Sequence, residues 1–130
     1  MEETTRQTIL VVEDDPGVAN VVKRHVEFVG FDAHIESSGT AALTYAAEHR
    51  PVLVILDLKL PDLDGYQVCK ELRQLHHSWE LPILMLTGMG QPSAQLRGFA
   101  HGADAYLTKP FETTELLRTV LFLLGHSTTP

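Results

Sequence analysis

Five short apolar runs alternate with five segments of helical periodicity along this chain, and no other feature constrains its fold as much. The runs fall at residues 9–12, 31–36, 52–56, 82–87 and 103–108, each the length of a strand. The first helix is expected after Asp15, a natural N-cap, with Pro16 in its first turn. Val18, Val21, Val22, Val26 and Val29 keep helical spacing, and Gly30 marks the stop. The second helix is expected over 39–49, with Ala42, Leu43, Ala46 and Ala47 inward and Pro51 beyond its end. The third, over 65–75, turns Val68, Leu72 and Leu75 inward. The fourth, over 92–101, is short and stops at Gly102. The fifth starts at Thr113 or Thr114 and ends at Gly125, with Leu116, Leu117, Val120, Leu121 and Leu124 as its core stripe.

Repeated β-α units predict an α/β fold: a single doubly wound, flavodoxin-like parallel sheet of five strands with helices on both faces. Residues 9–12, 52–56 and 82–87 are continuously apolar, as strands covered on both faces must be. The second run alternates Phe31, Ala33 and Ile35 with Asp32, His34 and Glu36, and the fifth is short; both suit sheet edges. The order 2-1-3-4-5 satisfies these demands. Right-handed crossovers then gather every strand's carboxyl end at one edge, with a crevice where the chain order reverses between strands one and three. One domain is expected over 8–125, with a flexible stretch over 1–7 and a tail or linker start over 126–130.

A charged or hydroxyl side chain stands where each central strand should end. The stretch VLVILDLKLPDLDG closes a buried strand on Asp57; strand one runs into Glu13, Asp14 and Asp15; strand four ends in Thr87 and Gly88; Lys109 and Pro110 follow strand five. A carboxylate beside a packed core is costly to desolvate unless something pairs with it. Several in one crevice demand a cation, and an all-oxygen set suits Mg²⁺ or Mn²⁺ before Zn²⁺. The bland alternative is a group of solvated strand-end acids capping helices, the role Asp15 itself fits. The formal net charge of −7 and the lack of a Lys/Arg stripe argue against direct nucleic acid binding. Cys69, the sole cysteine, is read as packing, and no apolar run is long enough to span a membrane, so a cytoplasmic domain is expected.

VVEDD, ILDLKLPDLDG, PILMLTG and DAYLTKPF, in that order and spacing, resemble the receiver domains of two-component response regulators over residues 8–125. The resemblance implies that Asp57 is a phosphoacceptor, that Glu13 and Asp14 hold Mg²⁺ together with Asp57 and the main-chain carbonyl of Lys59, and that Lys109 pairs with the phosphate. Thr87 would be the switch hydroxyl, Tyr106 the switch aromatic, and Lys109–Pro110 a cis peptide bond. Gly88 is a mild departure, since a small residue such as Ala is usual there. The phosphoryl group would come from a sensor histidine kinase or a histidine phosphotransfer protein. The domain catalyses its own phosphorylation and dephosphorylation in this reading, without being a conventional enzyme. Movement of Thr87 and Tyr106 would alter the face formed by helix four, strand five and helix five, and so control an output domain, a downstream partner or a homodimer.

Three expectations go further. Phe122, opposite the core stripe of helix five and beside Arg118, is expected to serve an interface, the plainer option being a ring folded onto a neighbour. Lys59 and Met89, each two residues beyond a site position, are expected to tune hydrolysis of the acyl phosphate. The seven histidines show no convincing ligand spacing, and Trp79 and Glu80 in their loop suggest no role. Other classes fit less well. An aspartate-nucleophile phosphatase usually has a second Asp two residues on, where Lys59 stands. A nucleotide-binding domain needs a glycine-rich loop after strand one. A flavin-binding domain remains compatible with the fold alone. A receiver that works by binding without being phosphorylated is the remaining alternative.

Overall fold

In a computed structural model, residues 6–125 are described. Strands β1 (Thr8–Val12), β2 (Asp32–Glu36), β3 (Leu53–Leu56), β4 (Ile83–Thr87) and β5 (Ala105–Thr108) alternate with helices α1 (Pro16–Phe28), α2 (Gly39–His49), α3 (Gly65–Leu75), α4 (Pro92–Ala100) and α5 (Thr113–Leu123). All neighbouring strands pair in parallel, in the order β2-β1-β3-β4-β5. The expected α/β class and strand order are therefore observed.

Side chains in each central strand point alternately to the two faces. Leu10, Val12, Val54, Leu56, Ile83 and Met85 meet Ala42, Ala46, Val68, Cys69 and Leu72 of α2 and α3. Ile9, Val11, Leu53, Ile55, Leu84 and Leu86 meet Val22, Val26, Leu116 and Val120 of α1 and α5. Two apolar layers with no polar face between them explain why β1, β3 and β4 tolerate no alternation. Truncating one of the fully buried leucines, such as Leu53 or Leu56, to Ala costs about 2–5 kcal/mol.

Three of the five N-cap side chains bond the first-turn amides of their helices. Asp15 accepts from the Gly17 and Val18 amides, Ser38 from Ala41 and Asp64 from Gln67, while Pro opens α1 and α4. Two inward assignments fail. Leu75 is 67% exposed, because the last turn of α3 reaches the amino edge of the sheet, where no strand covers it. Ala47 is exposed, and α2 instead buries Gly39, Ala42 and Ala46. Phe31 precedes β2 but is buried in the α1/α5 layer, and β5 begins at Ala105, after Ala103 and Asp104. Arg6 and Gln7 are anchored: the Arg6 guanidinium donates to the Phe31 carbonyl at 2.9 Å, and the Gln7 carbonyl accepts from the Asp32 amide. The other residues of the expected flexible start, 1–5, and the expected tail at 126–130 lie outside the described residues. Among the described residues, no helix is long and apolar enough to cross a membrane.

Candidate functional site

The parallel register carries three carboxylates to one edge. The Glu13 amide donates to the Glu36 carbonyl at 3.0 Å, and the Asp57 amide donates to the Val12 carbonyl at 3.0 Å, so sheet hydrogen bonding continues into both acids. Glu13 and Asp57 are buried, at 4% and 6% exposure, whereas Asp14 is exposed. Carboxylate oxygens of Glu13, Asp14 and Asp57 lie within 4.8 Å of one another. Asp15 turns away to cap α1, and its amide donates to Glu13 Oε2 at 3.1 Å.

Lys109 closes the cluster from the β5–α5 turn. Its Nζ lies 2.6 Å from Glu13 Oε1 and 3.0 Å from Asp57 Oδ2. The other Asp57 oxygen, Oδ1, accepts from the Leu58 amide at 2.7 Å and the Lys59 amide at 3.4 Å. Desolvation raises the Glu13 pKa, with the Asp57 charge adding to it, and the hydrogen bonds from Lys109 and the Asp15 amide offset this only in part. Desolvation pulls the Lys109 pKa down, but hydrogen bonds to Glu13 and Asp57 and the charges of both outweigh it and hold the ammonium above its ordinary value.

With all three acids ionised and one lysine among them, the formal charge is 1 − 3 = −2. A divalent cation balances it, and the donors are all oxygen, which suits Mg²⁺ or Mn²⁺. The residues thus fit a hard-metal site, formed by Glu13, Asp14 and Asp57.

Thr87, 1% exposed, ends β4 at the same edge; its carbonyl accepts from the Lys109 amide at 2.8 Å, and its hydroxyl oxygen lies 3.5 Å from the Met89 amide. The Lys109–Pro110 bond is cis. Tyr106 is half-buried, and its hydroxyl donates to the Met89 carbonyl, tying β5 to the β4–α4 loop. Its ring lies against Gly98, where a Cβ would come within 3.2 Å of two ring carbons. Met89 packs on the α2/α3 layer, while Lys59 is exposed. Arg118 and Phe122 stand apart from the acidic cluster, exposed on the outer side of α5.

Several residues around the site escaped sequence reading. Asp62 accepts from the Gly39 and Thr40 amides at the start of α2. Gly65 opens α3 so close to β3 that a Cβ would stand 2.4 Å from the Asp57 carbonyl oxygen. The Tyr66 hydroxyl donates to the Ala94 carbonyl at 3.0 Å, and the Arg97 guanidinium lies 4.3 Å from the centre of its ring. Asp64 before Gly65 was a legible capping signal; Asp62 and Tyr66 act on residues more than twenty positions away and carried none.

The profile described as the response regulator receiver domain matches residues 9–121. Among curated proteins, the chain is 40% identical over 116 residues to the DNA-binding dual master transcriptional regulator RpaA of Synechocystis, covering 89% of this chain and 48% of that protein. It is 41% identical over 120 residues to the response regulator MprA of Mycolicibacterium vanbaalenii, covering 92% and 51%. The chain spans about half the length of these curated relatives. Among solved structures, a CheY-like response regulator receiver domain protein from Methanospirillum hungatei superposes with a TM-score of 0.86 at 26% identity, covering 93% of this chain and 95% of that one. The BeF3-activated N-terminal receiver domain of Klebsiella pneumoniae RstA gives 0.85 at 30% identity, covering 91% and 98%. A profile that spans nearly the whole fold, with relatives at this level of identity, establishes that the chain belongs to the response regulator receiver domain family of two-component systems.

Proposed function

We propose that this domain takes a phosphoryl group from a phosphohistidine of a sensor kinase or histidine phosphotransfer protein onto Asp57, in a Mg²⁺-dependent step. The observation that carries this reading is the contact of one ammonium with two buried carboxylates, Glu13 and Asp57, in a cluster that still holds surplus negative charge. Surplus buried negative charge of this kind weakens the fold unless a further cation balances it.

In this reaction an Asp57 carboxylate oxygen forms a bond to phosphorus as the phosphorus–nitrogen bond to the donor imidazole breaks. The bonding electron pair leaves on that nitrogen, which takes up a proton. The Leu58 and Lys59 amides hold Oδ1, so the carboxylate is oriented before the donor arrives. Glu13, Asp14 and Asp57, with the Lys59 main-chain carbonyl, would hold Mg²⁺, which when bound offsets the negative charge gathered on the carboxylate and the phosphoryl oxygens. Lys109 shifts part of its pairing from Glu13 and Asp57 to a phosphoryl oxygen, and the Thr87 hydroxyl donates to another. The resulting acyl phosphate is hydrolysed by water, at a rate that Lys59 and Met89 tune from either side.

Engagement of Thr87 by the phosphate draws the β4–α4 loop inward, and Tyr106, bonded to Met89 of that loop, follows. A preference of a few kcal/mol for one arrangement is enough to reset the α4-β5-α5 face. That face, with Arg118 and Phe122 on its α5 side, would contact an output domain, a downstream protein or a second copy. The curated relatives are transcriptional or response regulators about twice this length, which supports an output domain as the partner. A cytoplasmic setting follows from such a kinase partner.

Incubation with Mg²⁺ and acetyl phosphate, followed by intact mass measurement, tests this. A gain of one phosphate, abolished by chelator and by Asp57→Asn, is expected. No gain under any donor would leave a receiver that acts by binding alone.

A further inference from the structure

The loop between β3 and α3 carries a carboxylate that the chemistry above does not use. Asp62 Oδ1 accepts from the Gly39 amide and from its neighbour Leu63, both at 2.8 Å, and Oδ2 accepts from the Thr40 amide at 2.9 Å. Gly39 and Thr40 begin α2, so this one side chain satisfies amides that a helix leaves unpaired and sits at the positive end of its dipole. The Thr40 hydroxyl, with the Thr40 and Gly39 amides, holds the Asp62 carboxyl well below the usual carboxylate range. The joint is close-packed: a Cβ on Gly39 would stand 2.8 Å from Val68 Cγ2 and 3.0 Å from Leu63 Cβ.

The same loop leads directly from Asp57. Its first amides, Leu58 and Lys59, donate to Asp57 Oδ1, and its return is marked by the Gly65 amide donating to the Leu58 carbonyl at 2.8 Å. Between these points, among the described residues, Asp62 supplies the only hydrogen bonds from residues 59–63 to another element. Ser38 caps α2 separately, its hydroxyl accepting from the Ala41 amide.

We infer that Asp62 is a positioning residue: by clasping the loop to the start of α2, it keeps the Lys59 main chain beside Asp57 and so raises the affinity of the acidic cluster for a divalent cation. Without the clasp, the Gly39 and Thr40 amides turn to water and the loop gains conformations that must be lost again when the ion binds. Partners bonded directly to a metal ligand change its affinity by about ten- to a hundredfold; Asp62 acts through the loop rather than on a ligand, so the low end of that range is expected. The inference rests on the phosphoacceptor reading.

The test is Mg²⁺ titration of the full chain by calorimetry, with phosphorylation rates measured against Mg²⁺ concentration in parallel. Asp62→Ala is expected to weaken Mg²⁺ binding by about tenfold while the rate at saturating Mg²⁺ stays within about threefold of the parent. Asp62→Asn should fall between, since its single acceptor oxygen reaches Gly39 and Leu63 while its amino group faces the Thr40 amide. Ser38→Ala, which strips a cap from the same helix, should leave Mg²⁺ affinity within about twofold. Equal affinities for Asp62→Ala and the parent, or an equal loss in Ser38→Ala, would overturn the clasp. If Asp62→Ala does not fold, the comparison of Asp62→Asn with Ser38→Ala decides by the same criterion. A parent protein that binds Mg²⁺ and takes up phosphate beside an insensitive Asp62 variant removes only the clasp; a parent that does neither removes the phosphoacceptor reading itself.

Discussion

Gly65 offers a direct way to move Asp57, the proposed phosphoacceptor, without touching its side chain. A Cβ at this position would stand 2.4 Å from the Asp57 carbonyl oxygen, 2.7 Å from Leu58 Cα and 3.0 Å from the Asp57 carbonyl carbon. Ordinary contacts begin near 3.4 Å, so the start of α3 and the end of β3 must separate by about 1 Å, and all three obstructing atoms are backbone, which cannot rotate away. Overpacking of this kind costs about 1–3 kcal/mol, offset by up to about 1 kcal/mol from the better helix propensity of Ala. Gly65→Ala should therefore lose about 1–2 kcal/mol in urea unfolding. The displaced peptide joins Asp57 to Leu58, whose amide orients Oδ1, so the larger effect falls on the reaction. A shift near 1 Å in a reacting group costs about 10²-fold, and phosphorylation from acetyl phosphate, followed by intact mass, should slow by about that factor. Gly88 is the matched control at the same sheet edge: a Cβ there meets nothing within 4 Å. Gly88→Ala should change stability by less than about 0.5 kcal/mol. If Gly65→Ala were phosphorylated at the parent rate, the proposed dependence on the backbone position of Asp57 would be wrong.

Arg73→Ala should destabilise by about 3 kcal/mol and lower the melting temperature by about 10 °C, because the guanidinium donates to the carbonyls of His76, Leu81 and Gly102 and pairs with Asp104 at 2.8 Å, with both side chains four-fifths buried; calorimetry checks this, and Lys should restore less than half, since it lacks the planar fork. Asp62 titrates below its unfolded value, so its stabilisation is complete above about pH 4 and is lost as pH falls toward the folded value. The stability gap between the parent and Asp62→Asn, followed by circular dichroism, should narrow below pH 4, and a constant gap from pH 7 to pH 2 would contradict that assignment. Met89→Ala should shorten the lifetime of the phosphorylated form, measured by mass after donor removal, if the side chain restricts water. Phe122→Ala should weaken self-association or partner binding of the phosphorylated domain in sedimentation, with thermal stability unchanged because the ring is exposed.

The parts of the fold that were legible in sequence are those set by local period and by burial on both faces. Continuous apolarity in residues 52–56 and 82–87 placed β3 and β4 centrally, and alternation in residues 31–36 put β2 at an edge. Site residues became legible because parallel strands end together, so one residue after each run was enough to gather Glu13, Asp57, Thr87 and Lys109. Leu75 shows the limit of periodicity: its phase on α3 is correct, but phase does not report where the sheet ends. Arg73 and Asp62 show a second limit. Each binds backbone carbonyls or amides of elements more than twenty residues away, and backbone groups leave no mark in the sequence to pair with. The histidines follow similar logic: His34 and His49 stack on Tyr45, and His77 stacks on Trp79, contacts that no ligand spacing would announce.

Why the chain keeps this cluster follows from the cost of its charges. Burial raises the Glu13 pKa, so ionising Glu13 takes stability from the fold as pH rises past the ordinary Glu value. Lys109 returns part of that through its two short contacts but balances only one of three acids. Apolar replacements of similar volume at buried ion pairs are often neutral or stabilising, so selection for stability alone would not hold Glu13 and Asp57 at 4% and 6% exposure. A group that brings more negative charge, such as a phosphoryl group, needs that site to hold more cation than the resting carboxylates require. The lysine supplies the resting balance, and the deficit of two charges leaves room for a metal ion. A single neutral substitution at Glu13 therefore has opposing effects: it removes a desolvated charge, and it frees Lys109 to bind Asp57 more tightly, which neutralises the proposed nucleophile.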